Sequence, residues 1–260
     1  MTFTPFDLGG RVALITGGNG GIGLGMAQGL ARAGADVCIW GTNVAKNAAA
    51  LAQLEQHGTR VAALQCDVSD EDQVEHAFAE TLERFGRIDG CFANAGVGGR
   101  NAAFEDMSTE EWRRILAVNL DGVFFTFRAA ARHMRARAEA GDPFGRLVGT
   151  ASLAAVSGQA RGEHYAATKG GLVSMVKALA VEYARHGVTA HTILPGWIDT
   201  AMTKGALDNE KFVANVLKRV PMRRWGQPED FAGIAVYIMS TASSYHSAET
   251  FLIDGGYLAF

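Results

Sequence analysis

Proline and cysteine are scarce in this 260-residue chain, which has 5 of the first and 3 of the second. Cys38, Cys66 and Cys91 are too few and too scattered for a disulfide framework or a CxxC metal site. Each falls in an apolar run that reads as a strand, so each is expected to be a small buried hydrophobe. There is no basic excess either: 24 Lys and Arg face 27 Asp and Glu, for a net charge of −3. A phosphate-tracking groove is therefore not expected, and no nucleic-acid partner. No apolar run approaches the roughly 18 residues of a membrane helix. Residues Met1 to Asp7 carry neither the basic nor the apolar region of a secretory leader. The expectation is a cytoplasmic protein with no membrane partner. The 7 histidines contain no HExxH pattern and no close pair, so no metal site is assigned.

Glycine is abundant, at 32 residues, and the chain is 48% hydrophobic and 20% charged. That balance excludes an intrinsically disordered chain. A chain of this length buries roughly three quarters of its unfolded surface and needs no covalent staples. The glycines have no three-residue period, which excludes a collagen-like fibre. They cluster near turns, where backbone must approach something closely.

Short β-rich runs alternate with longer helical patterns. Strands are expected at 11–16, 37–40, 61–65, 90–93, 146–150, 188–194 and 251–253. Helices are expected at 22–33, at 44–56, after Ser69 as N-cap, from the S-x-x-E capping box at Ser108 toward Ala138, and at 165–184. Repeated β-α order implies a parallel sheet with helices on both faces. The fold class is then α/β: a single-domain Rossmann-type doubly wound sheet of about seven strands over residues 1–260. The stretch 199–225 breaks the alternation just past a strand and carries several cations. Long excursions of this kind are usually functional, so it is read as a substrate lid.

After the first strand comes Thr16-Gly17-Gly18-Asn19-Gly20-Gly21-Ile22-Gly23, and then a helix. Glycines let backbone pass close to a pyrophosphate, and the helix N-terminus offers free N–H groups. An NAD-type site would place an acid at the end of the second strand. Here that position reads Trp40-Gly41-Thr42-Asn43, without an acid and without a cation in the turn. Thr42 and Asn43 can bond a ribose hydroxyl or a phosphate, so the cofactor is NADP or NAD, with a lean to NADP.

Tyr165 and Lys169 stand four apart and share a helix face. An ammonium beside a phenol favours the phenolate and is expected to lower its pKa.

Taken together, Thr16-Gly17-x-x-x-Gly21-Ile22-Gly23, Asp67-Val68, Asn94-Ala95-Gly96, Asn119, Ser152, Tyr165-x-x-x-Lys169, Pro195-Gly196-x-Ile198-x-Thr200 and Asp254-Gly255-Gly256 fall in the order seen in one family. The chain resembles the classical short-chain dehydrogenase/reductases over essentially its whole length. The resemblance implies an oxidoreductase that interconverts a secondary alcohol and a ketone with a nicotinamide cofactor. Possible substrates are 3-oxoacyl, sugar-derived or cyclic ketones. It implies catalytic roles for Asn119, Ser152, Tyr165 and Lys169. It implies cofactor contacts from Gly17, Asn19, Gly21, Ile22, Gly23, Asp67, Val68, Asn94, Ala95, Gly96, Tyr165, Lys169, Pro195, Gly196, Ile198 and Thr200, to which the reading above adds Thr42 and Asn43. It also implies a homotetramer, and the apolar end Tyr257-Leu258-Ala259-Phe260 suits an interface. Ala93, Ala151 and His191 depart from common family residues without removing a catalytic group. The alternative is a catalytically silent dinucleotide-binding sensor, against which the complete Ser152, Tyr165 and Lys169 set argues. Arg161, Glu163 and His164 are read as solvated loop groups, with the pocket mouth as the other possibility. Trp197 and Trp225 either line the pocket or pack it. Pocket shape is assigned to 97–100, 153–162, Trp197 and the lid.

Overall fold

The computed structural model describes residues 4–99 and 102–259. Met1, Thr2, Phe3, Arg100 of the pocket segment and Phe260 of the apolar end lie outside the described residues.

Seven parallel strands form one sheet. They are β1 (Val12–Thr16), β2 (Asp36–Gly41), β3 (Val61–Gln65), β4 (Gly90–Ala93), β5 (Gly145–Thr150), β6 (Val188–Pro195) and β7 (Thr250–Ile253). Their spatial order is β3-β2-β1-β4-β5-β6-β7. The chain winds outward from β1 to β3 and then returns to build the other half from β4. The switch point lies between β1 and β4, whose register pairs Ile15 with Phe92 and Thr16 with Ala93. Such switch points open a crevice at the C-terminal edge of the sheet.

The helices are α1 (Gly21–Arg32), α2 (Val44–Leu54), α3 (Glu71–Phe85), α4 (Thr109–Leu116), α5 (Gly122–Glu139), α6 (Glu163–Tyr183), the short α7 (Lys204–Leu207), α8 (Glu210–Val216) and α9 (Ala232–Met239). The two-residue alternation of the strands divides the core in two. Val12, Leu14, Cys38 and Trp40 face α3, α5 and α6 and pack with Val74, Val123 and Leu172. Ala13, Ile15, Val37 and Ile39 face the other way and pack with Met26 of α1, Ala50 of α2 and Ala235 of α9. Gly25 and Gly29 let α1 lie close to its neighbours. A Cβ at Gly25 would sit 2.0 Å from the Pro228 carbonyl oxygen.

The opposite, N-terminal edge of the sheet is clasped by Asp89, which is fully buried. Its carboxylate accepts from the Val12 amide at 2.9 Å and from Arg87 at 2.8 Å. It also pairs with Arg137 at 3.0 Å and Arg11 at 3.4 Å.

Three local expectations change. Asp70, not Ser69, caps α3: its carboxylate accepts from the Gln73 amide, while the Ser69 hydroxyl turns back to Asp67. A carboxylate is the better partner for a helix N-terminus because it also meets the positive dipole end. The long helix after Ser108 is interrupted by a π segment at Ala117–Asp121. Ser108 still caps α4 by accepting from the Glu111 amide. Cys66 lies just past β3 rather than within it, and all three cysteines are buried and free.

Among the described residues, no helix is long and apolar enough to cross a membrane.

Candidate active site

The C-terminal ends of β1 and β4 are locked together before the site begins. The Thr16 hydroxyl accepts from the amides of Asn94 and Ala95, each at 3.0 Å. The Asn94 side chain donates back to the carbonyls of Thr16 and Gly17. Gly17 and Gly21 take φ of 62° and 51°, in the left-handed region that glycine enters without penalty. Gly23 lies under the turn: a Cβ there would meet the Gly17 carbonyl oxygen at 2.3 Å. Gly20 precedes α1 with no side-chain cap, and the first turn carries no acid. The N–H groups of that turn are therefore free for an anion. A second asparagine pair pins the turn from the side. Asn19 donates to Asn47 at 2.7 Å, and Asn47 donates to the carbonyls of Gly41 and Leu64.

A cavity of about 750 Å³ runs from this turn to the start of α6. Gly17, Asn19, Gly21, Ile22, Asn94, Ala95, Gly96, Ser152, Tyr165, Lys169, Pro195, Gly196, Ile198 and Thr200 line it. Ser152 follows β5 in extended backbone, and its Oγ accepts from the Ala154 amide at 3.2 Å. Tyr165 and Lys169 project from the first turns of α6. The Lys169 Nζ donates to the Thr150 carbonyl at 2.8 Å and lies 5.5 Å from the centre of the Tyr165 ring.

Electrostatics here run against the simple expectation for the pair. Burial pushes the Tyr165 phenol up from its ordinary value, with the Ser152 hydroxyl pulling the other way. Burial also pushes the Lys169 ammonium down to about 8. The expected lowering of the phenol by Lys169 is reversed in direction. Both charged forms lose hydration on burial, and that loss is the leading cause of each shift.

Asn119 lies in the π segment and is fully buried. Its side chain accepts from the Val97 amide at 2.8 Å and donates to the Val97 carbonyl at 3.0 Å. It holds the loop after β4, with Gly96 between it and Lys169. A Cβ at Gly96 would lie 3.3 Å from the Asn119 oxygen and 3.6 Å from the Lys169 Nζ. The π turn, which is common at functional sites, is what aims Asn119 at this loop.

Five of the sequence-derived cofactor residues do not line the cavity. Gly23 acts from beneath, as described. Thr42 is exposed, and Asn43 caps α2 by accepting from the Lys46 amide. Asp67 accepts from the Ser69 hydroxyl at 2.7 Å, and Val68 packs on Gly122. Lys46 does line the cavity, beside the glycine turn. Sequence reading missed it by searching only the turn and not the first turn of α2. Arg161 and His164 line the cavity as well, whereas Glu163 does not. Arg161 is both an exposed loop residue and part of the cavity mouth, while the solvated-loop reading fails for His164, which is buried. The His164 ring is fully buried, and neither of its nitrogens has a hydrogen-bond partner among the described residues. Trp197 lines the cavity. Trp225 packs instead, stacking on Phe212, which in turn meets Trp197 edge-on at 4.7 Å.

Residues 17–258 match the sequence model of a family described as enoyl-(acyl carrier protein) reductase. The chain is 36% identical to the gluconate 5-dehydrogenase of Gluconobacter oxydans (strain 621H) over 251 residues, 96% of each chain. The chain belongs to the short-chain dehydrogenase/reductase family. It is also 36% identical to a 3-oxoacyl-[acyl-carrier-protein] reductase of Chlamydia pneumoniae over 248 residues, 95% of this chain and 96% of that one. A crystal structure of a gluconate 5-dehydrogenase from Burkholderia cenocepacia J2315, in complex with NADP and tartrate, superposes with a TM-score of 0.92. That protein is 35% identical, and the match covers 99% of this chain and 98% of that one. As a member of this family, the protein is an NAD(P)-dependent oxidoreductase that interconverts secondary alcohols and ketones.

Proposed function

We propose that this short-chain dehydrogenase/reductase interconverts a hydroxyl and a keto group on a sugar acid, with NADP(H) as its cofactor. The observation that carries the reading is the juxtaposition on one cavity of Ser152, Tyr165 and Lys169 with the acid-free glycine turn. The sugar-acid class draws on the gluconate-type relatives. It also fits a cavity whose described lining includes Lys46, Arg161 and Lys169 but neither Asp nor Glu. NADP is favoured by Lys46 beside the turn and by the missing acid after β2. A 2′-phosphate there meets a cation and no repelling carboxylate.

The nicotinamide, when bound, supplies or accepts the hydride. The chain supplies position and a proton. The Ser152 hydroxyl orients the substrate oxygen by a hydrogen bond. The Tyr165 phenol gives its proton to that oxygen in reduction, and the phenolate takes it back in oxidation. Its raised pKa keeps it protonated at neutral pH, which suits ketone reduction. Lys169, anchored to Thr150, places a partly neutral amine behind the phenol. Asn119 is a positioning residue that holds the Val97 backbone. The 199–225 excursion serves as the lid over the substrate end, with Thr200, Met202 and Phe212 on its inner side. The cofactor and substrate ends of the site belong to a single domain. The homotetramer rests on family resemblance and on exposed apolar side chains such as Phe124 and Leu252. Light scattering at the monomer mass removes it.

The deciding experiment measures reduction of 5-keto-D-gluconate and of acetoacetyl-coenzyme A, each with NADPH and NADH. Turnover of the sugar acid with NADPH preferred supports the reading. Turnover of the thioester alone sinks the sugar-acid assignment. Tyr165→Phe should abolish turnover and keep NADPH binding.

A further inference from the structure

We infer that the guanidinium of Arg161 receives the carboxylate of the substrate and so sets the preference for anionic over neutral ketones. The inference rests on the sugar-acid reading above and assigns it to one side chain.

The described cavity lining includes Lys46, Arg161, His164 and Lys169 as groups able to carry positive charge, and no carboxylate. Lys46 stands beside the glycine turn, at the cofactor end. Lys169 is 4% exposed and committed to the Thr150 carbonyl. His164 is 0% exposed, with its ring directly beneath Gly99. Arg161 remains. It is exposed at the cavity wall, just ahead of α6, four residues before Tyr165.

Two further features favour a ligand for it. Its side chain pairs with no carboxylate among the described residues. The nearby Glu163 accepts from the Arg161 backbone amide at 3.1 Å instead. Its φ is 60°, a conformation that arginine adopts at a cost and glycine would adopt freely. Glycines stand at 158 and 162, yet the strained position carries a long cation. A planar fork of donors fits a carboxylate with two parallel hydrogen bonds. The long side chain lets it reach a carboxylate several bonds from the carbon at Tyr165.

The test is steady-state reduction of a panel of keto-aldonates, 5-keto-D-gluconate among them, by wild type, Arg161→Gln, Arg161→Gly and Arg161→Lys. Arg161→Gly relieves the backbone and removes the cation, so a loss there is not a folding artefact. The expected result is a KM about 10- to 100-fold higher in the Gln and Gly variants, the range for a charge-assisted bond. The kcat should move by less than a few-fold, as for an interaction made equally in ground and transition states. Arg161→Lys should recover part of the loss, and the KM for NADPH should hold. The wild-type KM should rise with ionic strength and the Gln variant's should not. An unchanged KM in both variants, or a loss confined to kcat, overturns the role of Arg161 and leaves the sugar-acid reading standing. Failure of wild type to reduce any keto-aldonate overturns both.

Discussion

The Nζ of Lys169 donates to the carbonyl oxygen of Thr150 at 2.8 Å, tying the first turns of α6 to the last residue of β5. The ammonium is almost fully buried, and burial brings its pKa from 10.5 down to about 8. The folded state therefore resists a charge that the unfolded chain carries freely. Between about pH 8 and 10.5 the unfolded chain binds more protons, so stability rises with pH there. Below pH 8 the full penalty, about 3 kcal/mol by the size of the shift, is present. Lys169→Met should lower kcat by at least about 100-fold, as for loss of a proton-handling group. It should also raise the melting temperature at pH 7, and that gain should shrink toward pH 10. Thermal melts of both proteins across this range check the sign. A variant that melts lower at pH 7 contradicts it.

Tyr165 is pushed upward by burial, so its protonated form persists past neutrality. Reduction needs the phenol and oxidation needs the phenolate. The phenol should leave no inflection in ketone reduction from about pH 6 to 8, well below the ordinary phenol pKa near 10, so any inflection near pH 8 belongs to Lys169. Alcohol oxidation should climb steadily with pH over the same range and beyond. Paired kcat/KM profiles in the two directions test this. An oxidation profile already level at pH 7 would mean a lowered phenol.

Gly23 sits where a Cβ would meet the Gly17 carbonyl oxygen at 2.3 Å and the Asn94 side chain at 2.5 Å. Both neighbours are held by the Thr16 and Asn94 hydrogen bonds and cannot move aside. Gly23→Ala should displace the glycine turn and weaken NADPH binding by at least 10-fold, about 1.4 kcal/mol. Fluorescence titration of the cofactor reads the loss directly.

Asp89 gathers Arg11, Arg87, Arg137 and the Val12 amide at the edge of the sheet remote from the cavity. Asp89→Asn leaves those cations without their common anion. It should cost about 3 kcal/mol by urea denaturation, the scale for breaking a buried pair from one side. Activity per folded molecule should be preserved.

Much of this molecule is legible from local pattern. The strands at 61–65 and 90–93 coincide with the structure because each is a short apolar run bounded by turn residues. The glycine turn is legible because strand, glycines and helix follow one another directly. The π segment is not legible: Thr109 to Glu139 keeps a helical pattern throughout, and one extra backbone residue per turn leaves no mark on composition. Asp70 displaced Ser69 as the cap because two adjacent capping residues compete, and only the loop geometry at Asp67 selects between them.

The sequence by itself determined the alternation of strand and helix and the order of the motifs, because these follow from periodicity and residue type along the chain, and the resemblance of that motif series pointed to the family. Tertiary structure decided the rest. It brought Lys46 and Arg161 to the cavity wall and left Thr42 and Asn43 outside it. It turned Asn119 onto Val97 and reversed the direction of the Tyr165 shift. Charge and hydrogen bonding at a site depend on burial and on neighbours distant in sequence. Those are set when the two halves of the sheet meet between β1 and β4.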